Sequence, residues 1–182
     1  MTNRVYKTEG VVLKYRNYGE ADRIVTLFTK HYGKLTAIAK GVRKITSHRS
    51  GSLEPGMHVI LLLAKGHGWD VITQVHVHQG YVNLRSNLTR ITQLNQILEI
   101  IDSLTAEHQE HELVYQSFIQ LLHNLNNQNG SQRLAIVSAT KNILEQLGFG
   151  IPQEDNEEAL KNHLENIIER ELRSKKMLSP PL

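Results

Sequence analysis

Hydrophobic positions along the chain follow two different periods, and the change of period falls near residue 80. In the first 80 residues, short runs rich in β-branched and aliphatic side chains alternate with turn-forming residues, which predicts β-strands. Asn17 with Gly19 and Gly66 with Gly68 predict tight turns, whereas residues 42–57 form one longer connection. The five predicted strands cover residues 5–15, 23–30, 34–41, 58–64 and 70–77.

From Leu84 onward, apolar residues recur at steps of three and four, the spacing of an amphipathic helix. The first apolar stripe runs through residues 88–104, and further helices are predicted over 114–125, 134–147 and 156–176. Ser131 is the predicted cap of the third helix and Gly148 its predicted end. We place the domain boundary within residues 78–84, which predicts domains over 1–80 and 84–182.

These elements predict an α+β protein in which a small β-barrel precedes an all-helical domain. Five strands with a long third-to-fourth connection are typical of an OB-type Greek-key barrel. The strand count alone also permits an SH3-like barrel, and the spacing does not separate the two.

Composition excludes several classes of protein. The chain of 182 residues is 40% hydrophobic, which is enough for real cores, and it contains no cysteine. Disulfides, a thiolate zinc site and a cysteine nucleophile are therefore excluded. The first ten residues lack the apolar core of a signal peptide, and no run is long enough to cross a membrane. We expect a cytoplasmic protein without a membrane partner.

Charge is distributed unevenly along the chain. Residues 1–90 hold 14 Lys and Arg against 5 Asp and Glu, a net charge of +9, while residues 91–182 hold 7 against 13, a net charge of −6. A basic barrel beside an acidic helical part predicts a polyanion-binding module joined to a scaffold, because clustered cations attract phosphate and release its counterions.

The cations that could bind DNA surround the third predicted strand and the first turn. Lys34 and Lys40 have the same parity, so on a regular strand they share a face that loop cations can extend into a phosphate track. Near the first turn, Glu20 and Asp22 are alternative partners for the local arginines. The predicted DNA-binding residues are Lys34, Lys40, Arg43, Lys44, Arg49, Arg16 and Arg23. Tyr15, Tyr18 and Tyr32 are candidates either for base stacking or for packing.

No group of residues predicts catalysis. The chain has neither a phosphate-binding loop nor a dinucleotide fingerprint, and no nucleophile with a matching base is visible. His76 and His78 share a strand face, but with no carboxylate nearby in sequence we predict no metal and no cofactor. His108 and His111 lie in an acidic stretch that is expected to be a solvated loop between helices. The prediction is a protein that is not an enzyme.

Several motifs of the first domain resemble one known family. The run Tyr18-Gly19-Glu20-Ala21-Asp22-Arg23 is followed by Gly33-Lys34, by Ala39-Lys40-Gly41-Val42-Arg43 and by Leu53-Glu54-Pro55. In combination these motifs resemble the amino-terminal domain of the RecO family of bacterial recombination mediators and DNA repair proteins. A weaker similarity extends through the helical part and includes the basic segment at residues 171–178.

The resemblance implies a non-enzymatic mediator of recombinational repair. Members of the family bind single- and double-stranded DNA, anneal complementary strands and assist recombinase loading at the nucleoid. The implied partners are RecR, the C-terminal tail of the single-strand binding protein and, indirectly, RecA. Because residues 91–182 are net acidic, an acidic tail needs a local basic site. One candidate site lies on the third helix, where Arg133 and Lys141 are eight residues apart and flank an apolar groove lined by Leu134, Val137 or Leu144. The other candidate is the C-terminal cluster of Arg170, Arg173, Lys175 and Lys176.

The chain also departs from the family pattern. Many relatives carry a cysteine-based zinc module after the third helix, whereas here residues 146–152 lead almost directly into the fourth helix. The module is therefore expected to be missing, and with it the contacts that it makes. An alternative function from a different class remains open: an interaction adaptor whose helical part is the main surface and whose barrel binds RNA or another protein.

Overall fold

Strands form the first part of the described chain, and helices form the second. The structure is a computed structural model that describes residues 4–47, 49–127, 132–154 and 156–168. Its strands are β1 (Val5–Tyr18), β2 (Asp22–Thr29), β3 (Gly33–Ala39), β4 (His58–Ala64) and β5 (Asp70–Gln79). All five strands predicted from the hydrophobic pattern are confirmed, with small differences at their ends.

The strands close into a barrel in the order β1-β2-β3-β5-β4. Neighbouring strands are antiparallel except β3 and β5, which run parallel and pair only through Ala37 with Asp70 and Ile38 with Val71. This Greek-key order, with the third and fifth strands closing the barrel, is the OB topology, so the predicted OB-type barrel is confirmed. Because the β3–β5 pairing is short, it leaves residues 33–36 of β3 without a β5 partner.

The barrel interior is filled by aliphatic side chains that alternate along the strands with outward-facing residues. β1 departs from strict alternation, because its pairing with β2 shifts register between Val12 and Lys14. Val12 and Tyr15, three positions apart, therefore both pack with the core. The fully buried members of this core include Val12, Val25, Leu27, Ala37, Ala39, Val42, Leu53, Val59 and Leu63.

Four helices follow the barrel: α1 (Leu88–Leu104), α2 (Glu112–Asn127), α3 (Arg133–Gln146) and α4 (Glu157–Ile168). The inward stripe of α1 begins later than the sequence indicates, because Leu88 is 79% and Ile91 37% exposed whereas Leu94 is buried. Gly148 follows α3 in the left-handed conformation with φ +79°, which confirms it as the helix stop. The predicted cap Ser131 and the predicted helical residues 169–176 lie outside the described residues.

Spatial contacts group the chain into two compact units. One consists of Met1–Gly80 with Thr105–Glu112, and the other of Tyr81–Leu104 with Leu113–Leu182. We call residues 105–112 the acidic strap, because they include Glu107, Glu110 and Glu112. Its side chains are mostly exposed, as predicted for a solvated loop. Its grouping with the barrel was not indicated by the sequence.

Candidate nucleic-acid interface

Four predicted DNA-binding cations lie at or near one end of the barrel. Strand register defines this end, because Tyr18 at the end of β1 pairs with Asp22 at the start of β2, and Arg23 pairs with Ala39 at the end of β3. The chain then leaves β3 directly into its cationic connection to β4. We call Arg16, Lys40, Arg43 and Lys44 the basic end. All four are exposed, and none is ion-paired with another described residue.

Hydrogen bonds hold the loops of the basic end together. The backbone amide of Arg43 donates to the Ala21 carbonyl at 2.8 Å, and its guanidinium reaches the Gly19 carbonyl at 3.3 Å. The carboxylate of Asp22 accepts from the Gly41 amide at 2.7 Å. The turn at residues 19–21 and the start of the β3–β4 connection are therefore joined, so the cations are carried on an ordered surface.

Arg49 has a positioning role at this end. Its guanidinium donates to the carbonyl of Lys40 at 2.7 Å and to the carbonyl of Ile72 at 3.2 Å. The side chain is half-buried and ties the β3–β4 connection back to β5. Both contacts use backbone acceptors, so its positive charge remains uncompensated among the described residues. Direct DNA contact by Arg49 stays a prediction.

The side chain of Arg23 is engaged within the protein. Its guanidinium lies 3.8 Å from the centre of the Tyr15 ring and forms an ion pair with Glu54 at 2.9 Å. The side chain is only 14% exposed, which limits its access to a ligand. The sequence suggested Glu20 or Asp22 as its acidic partner, but the observed partner is Glu54. DNA contact by Arg23 stays a prediction.

Lys34 is separated from the basic end. It lies at the start of β3, and the six residues to Lys40 span about 20 Å of extended chain. Lys40 itself follows the last residue of β3, so the two lysines do not sit on one regular strand. The acidic strap bonds to the β3 edge here, where the His108 amide donates to the Lys34 carbonyl at 2.8 Å. The Thr36 hydroxyl donates to the Glu107 carboxylate at 2.7 Å.

Aromatic side chains occupy the same end of the barrel as the cations. Tyr18 and Trp69 meet edge to face with ring centres 5.4 Å apart, and we call them the aromatic pair. The Arg16 guanidinium lies 5.9 Å from the Tyr18 ring centre and 5.7 Å from that of Trp69. Tyr15, another stacking candidate, instead packs with the core, and Tyr32 packs against Tyr6.

Sequence reasoning missed Trp69. The available signal was its position as the only tryptophan of the chain, directly after the glycine-containing turn at residues 65–68. In OB folds, the β1–β2 and β4–β5 loops flank the ligand-binding face. Tyr18 is the last residue before the β1–β2 loop, and Trp69 lies in the β4–β5 loop.

A polar network fixes the β4–β5 turn that carries Trp69. The Asp70 carboxylate accepts hydrogen bonds from the Tyr6 hydroxyl and, at 3.0 Å, from the Lys65 ammonium. Burial opposes ionisation of Asp70, but these donors outweigh it and hold its pKa below the ordinary value. Burial and the bond to Asp70 raise the pKa of Tyr6, so Tyr6 remains a donor at neutral pH. The turn is thus anchored to β1.

The candidate partner site on α3 is partly engaged. Arg133 is ion-paired with Glu157 of α4, and Lys141 is half-buried with polar contacts of its own. Leu144, one of the predicted groove residues, is fully buried, whereas Leu134 is 77% exposed. The rival cluster of Arg170, Arg173, Lys175 and Lys176 lies outside the described residues. Binding of a partner by Arg133 and Lys141 stays a prediction.

The described residues contain neither a cluster suited to a metal ion nor a helix suited to crossing a membrane. In residues 4–47, 49–127, 132–154 and 156–168, no three His, Cys, Asp or Glu side chains are grouped in a way that could hold a metal ion. No helix in that part of the chain combines the length and the apolar character needed to cross a membrane.

The closed five-stranded barrel, with cationic and aromatic side chains at one end, defines an OB-fold protein. Two models of one protein family match the chain: the N-terminal model of recombination protein O over residues 1–81 and its C-terminal model over residues 85–156. Together these ranges include the whole barrel and three of the four helices. The chain belongs to the RecO family.

Individual relatives agree with the family models. A DNA repair protein RecO from Bifidobacterium adolescentis is 49% identical over 77 residues, which cover 42% of this chain and 31% of the relative. A protein of the same name from Frankia casuarinae is 38% identical over 130 residues, covering 71% of this chain and 53% of the relative. For the RecO of Nostoc punctiforme the identity is 37%, covering 73% of this chain and 45% of the relative. The chain thus spans about a third to a half of these relatives.

Proposed function

We propose that this chain binds DNA through the basic end of its barrel and acts without catalysis in recombinational DNA repair. The observation that carries the proposal is the group of four exposed cations, Arg16, Lys40, Arg43 and Lys44, that lack an ion-pair partner among the described residues. Phosphates that bind such cations release their condensed counterions, which favours binding. The names of the relatives, DNA repair protein RecO, support repair as the process.

Strand annealing follows from the same surface. Two single strands repel each other through their phosphates, and a cationic surface that binds both lowers this repulsion. Base pairing then supplies the driving force and the selectivity, so no nucleotide hydrolysis is needed. We propose that the chain binds single- and double-stranded DNA and anneals complementary single strands, with the nucleoid as the place of action.

The proposal is tested by reversing two charges of the basic end. We expect Lys40→Glu with Lys44→Glu to weaken binding of a fluorescent single strand about 20-fold at 0.1 M salt, and to lower the salt slope by about 1.4, since each phosphate contact contributes ~0.7. Fluorescence anisotropy over a series of salt concentrations measures both quantities. The matched control is Lys7→Glu with Lys161→Glu, which changes the net charge equally on exposed or partly exposed positions elsewhere.

A separate variant, Lys34→Glu, tests the predicted contact at the other end of β3. If the Lys40 and Lys44 variant remains folded and binds with unchanged affinity and slope, the basic end is not the DNA site. RNA of the same sequence serves as the competing ligand, because preference for RNA would favour the adaptor function. An annealing assay with complementary oligonucleotides then follows the binding assay.

Partner contacts are proposed from the family alone. RecR, the tail of the single-strand binding protein and, indirectly, RecA are the proposed partners, and assistance in recombinase loading is the proposed outcome. Both residues of the candidate site on α3 also have contacts within the protein, since Arg133 pairs with Glu157 and Lys141 has polar contacts of its own, so circular dichroism first confirms that the Lys141→Ala variant is folded. A labelled acidic tail peptide is titrated against wild type and Lys141→Ala, and absence of binding to the wild type at low salt contradicts this contact.

A further inference from the structure

The aromatic pair forms an accessible surface beside the basic end. Tyr18 is 44% and Trp69 36% exposed, although they come from different loops and meet with ring centres 5.4 Å apart. Arg16 lies within 6 Å of both ring centres and has no ion-pair partner among the described residues. Large aromatic side chains usually bury most of their surface, so two that remain open and in contact offer ring surface to a ligand.

The backbone that carries Trp69 is fixed by close contacts. A Cβ atom on Gly66 would lie 2.1 Å from the Trp69 carbonyl oxygen, so the turn closes only with glycine at this position. The Gly66 amide and the Lys65 ammonium both face the Asp70 carboxylate, at 3.4 Å and 3.0 Å. Trp69 therefore lies between two anchored positions, and its location beside Tyr18 does not depend on a ligand. A preorganised site loses less conformational entropy on binding.

Phosphate-binding groups lie next to this aromatic surface. The residue after Tyr18 is Gly19, and its carbonyl oxygen accepts the hydrogen bond from the Arg43 guanidinium at 3.3 Å. Arg43 and Arg16 thus place positive charge beside the aromatic pair. A nucleotide unit presents this combination of groups, because its base has a flat apolar face and its phosphate is negative.

We propose that the aromatic pair is a stacking site for an unpaired base, and that Trp69 gives the barrel a preference for single-stranded over double-stranded DNA. This inference rests on the proposed DNA binding, for which the basic end supplies the phosphate contacts. In a duplex, each base is already stacked between its neighbours and must first be unstacked. In a single strand, the base faces are available at much lower cost, so the stacking energy is gained only there.

The test uses the fluorescence of Trp69, which is the only tryptophan of the chain. Three unlabelled DNA ligands of equal length are titrated: a mixed-sequence single strand, a single strand made wholly of abasic nucleotides, and the duplex of the mixed sequence. We expect the single strand to quench the emission strongly and the abasic strand and the duplex to quench it weakly, because only the first offers a free base.

Affinities are then measured by competition against a labelled strand. We expect Trp69→Ala to weaken single-strand binding about tenfold, within the range for loss of one stacked base, while binding of the abasic strand changes little. Trp69→Phe keeps an aromatic ring and should retain most of the affinity, and Tyr18→Ala should resemble Trp69→Ala. Phe149→Ala removes an exposed aromatic residue elsewhere and serves as the matched control. Circular dichroism confirms that each variant is folded.

The outcomes separate the two proposals. If the protein binds the abasic strand and the normal strand equally well, and Trp69→Ala changes neither, DNA binding stands and the stacking site is refuted. If no DNA of any kind binds at low salt, both proposals fail. A loss of affinity in Trp69→Ala that is equal for the normal and the abasic strand also refutes stacking, because it shows disruption of the phosphate contacts.

Discussion

At the scale of single residues, His58 is an unusual member of the barrel. It is only 3% exposed, its Nε2 donates to the Glu9 carboxylate at 2.7 Å, and its ring lies 4.9 Å from that of His78. Burial lowers the pKa of His58, and the bond to Glu9 opposes this only in part. The neutral imidazole is therefore the form that the folded barrel favours.

This lowered pKa predicts a pH dependence of stability. The unfolded chain protonates His58 near its ordinary pKa of about 6.5, before the folded chain does, so the free energy of unfolding should fall as pH drops below that value. The slope from one group is at most about 1.4 kcal/mol per pH unit. Urea unfolding between pH 5 and 8 measures it in wild type and in His58→Gln, which retains a donor. Parallel curves for the two proteins would contradict the prediction.

At the scale of elements, the acidic strap extends the sheet at the edge of β3. Lys34 and Glu107 form a parallel bridge, and the Thr36 hydroxyl bonds to the Glu107 carboxylate. The strap lies so close that a Cβ atom on Gly33 would be 1.9 Å from the Gln109 carbonyl oxygen. Gly33 also has φ +62°, a conformation that costs other residues about 1–2 kcal/mol. Both the turn before β3 and the docking of the strap depend on this glycine.

We predict that Gly33→Ala releases the strap. The matched control is Gly19→Ala, because Gly19 has a similar φ of +54° but open space around the added Cβ. Both substitutions should lower the free energy of unfolding by about 1–2 kcal/mol because of the left-handed backbone. Gly33→Ala should lower it further, because its Cβ would also meet the strap. Hydrogen exchange of the His108 amide, which is bonded to Lys34, should accelerate only in Gly33→Ala. Equal stability and exchange in the two variants would show that the strap does not need glycine here.

The pairing of α3 with α4 gives a second prediction at this scale. Arg133 and Glu157 are each less than a third exposed, and the Nε of Arg133 is buried. Removing one member of a partly buried ion pair leaves the other charge without compensation. Arg133→Ala should therefore lower the melting temperature more than Lys161→Ala does, because Lys161 is 41% exposed and pairs with Glu165 only at 3.7 Å. Recovery of stability in Arg133→Ala with Glu157→Ala would establish that the pair, and not the single side chain, is responsible.

At the scale of the whole molecule, charge divides the chain into two parts, because residues 1–90 are net positive and residues 91–182 are net negative. We expect the cations of the basic end to bind a polyanion, whereas the helical part offers few cations in its described residues. The absence of cysteine leaves only His and carboxylate ligands for any metal, and the described residues do not group three of them.

Metal removal should consequently have no effect. We predict that exhaustive chelation leaves both the melting temperature and the affinity for single-stranded DNA unchanged. Elemental analysis of the purified protein provides the control. A stoichiometric metal whose removal lowers the melting temperature would contradict this prediction.

The sequence by itself determined the strands and helices, whereas the strand order of the closed barrel decided between an OB-type and an SH3-like arrangement. Short runs of β-branched and aliphatic residues located β2 and β4 almost to the residue, because these side chains favour extended backbone in a buried sheet. Gly148 marked the end of α3 for an equally local reason, since glycine adopts the left-handed conformation easily. The motifs around Tyr18 and Lys40 led to the RecO family. Lys40, Arg43 and Lys44 were grouped from the sequence, but together with Lys34 and without Arg16.

Only the tertiary structure decided which of those residues come together. Lys34 and Lys40 are close in sequence but lie at opposite ends of β3, and the strap that meets Lys34 arrives from beyond α1. Tyr18 and Trp69 are distant in sequence and become neighbours only when the barrel closes. Periodicity reports the surroundings of each segment, whereas contacts between distant segments depend on strand order and register, which no local pattern contains.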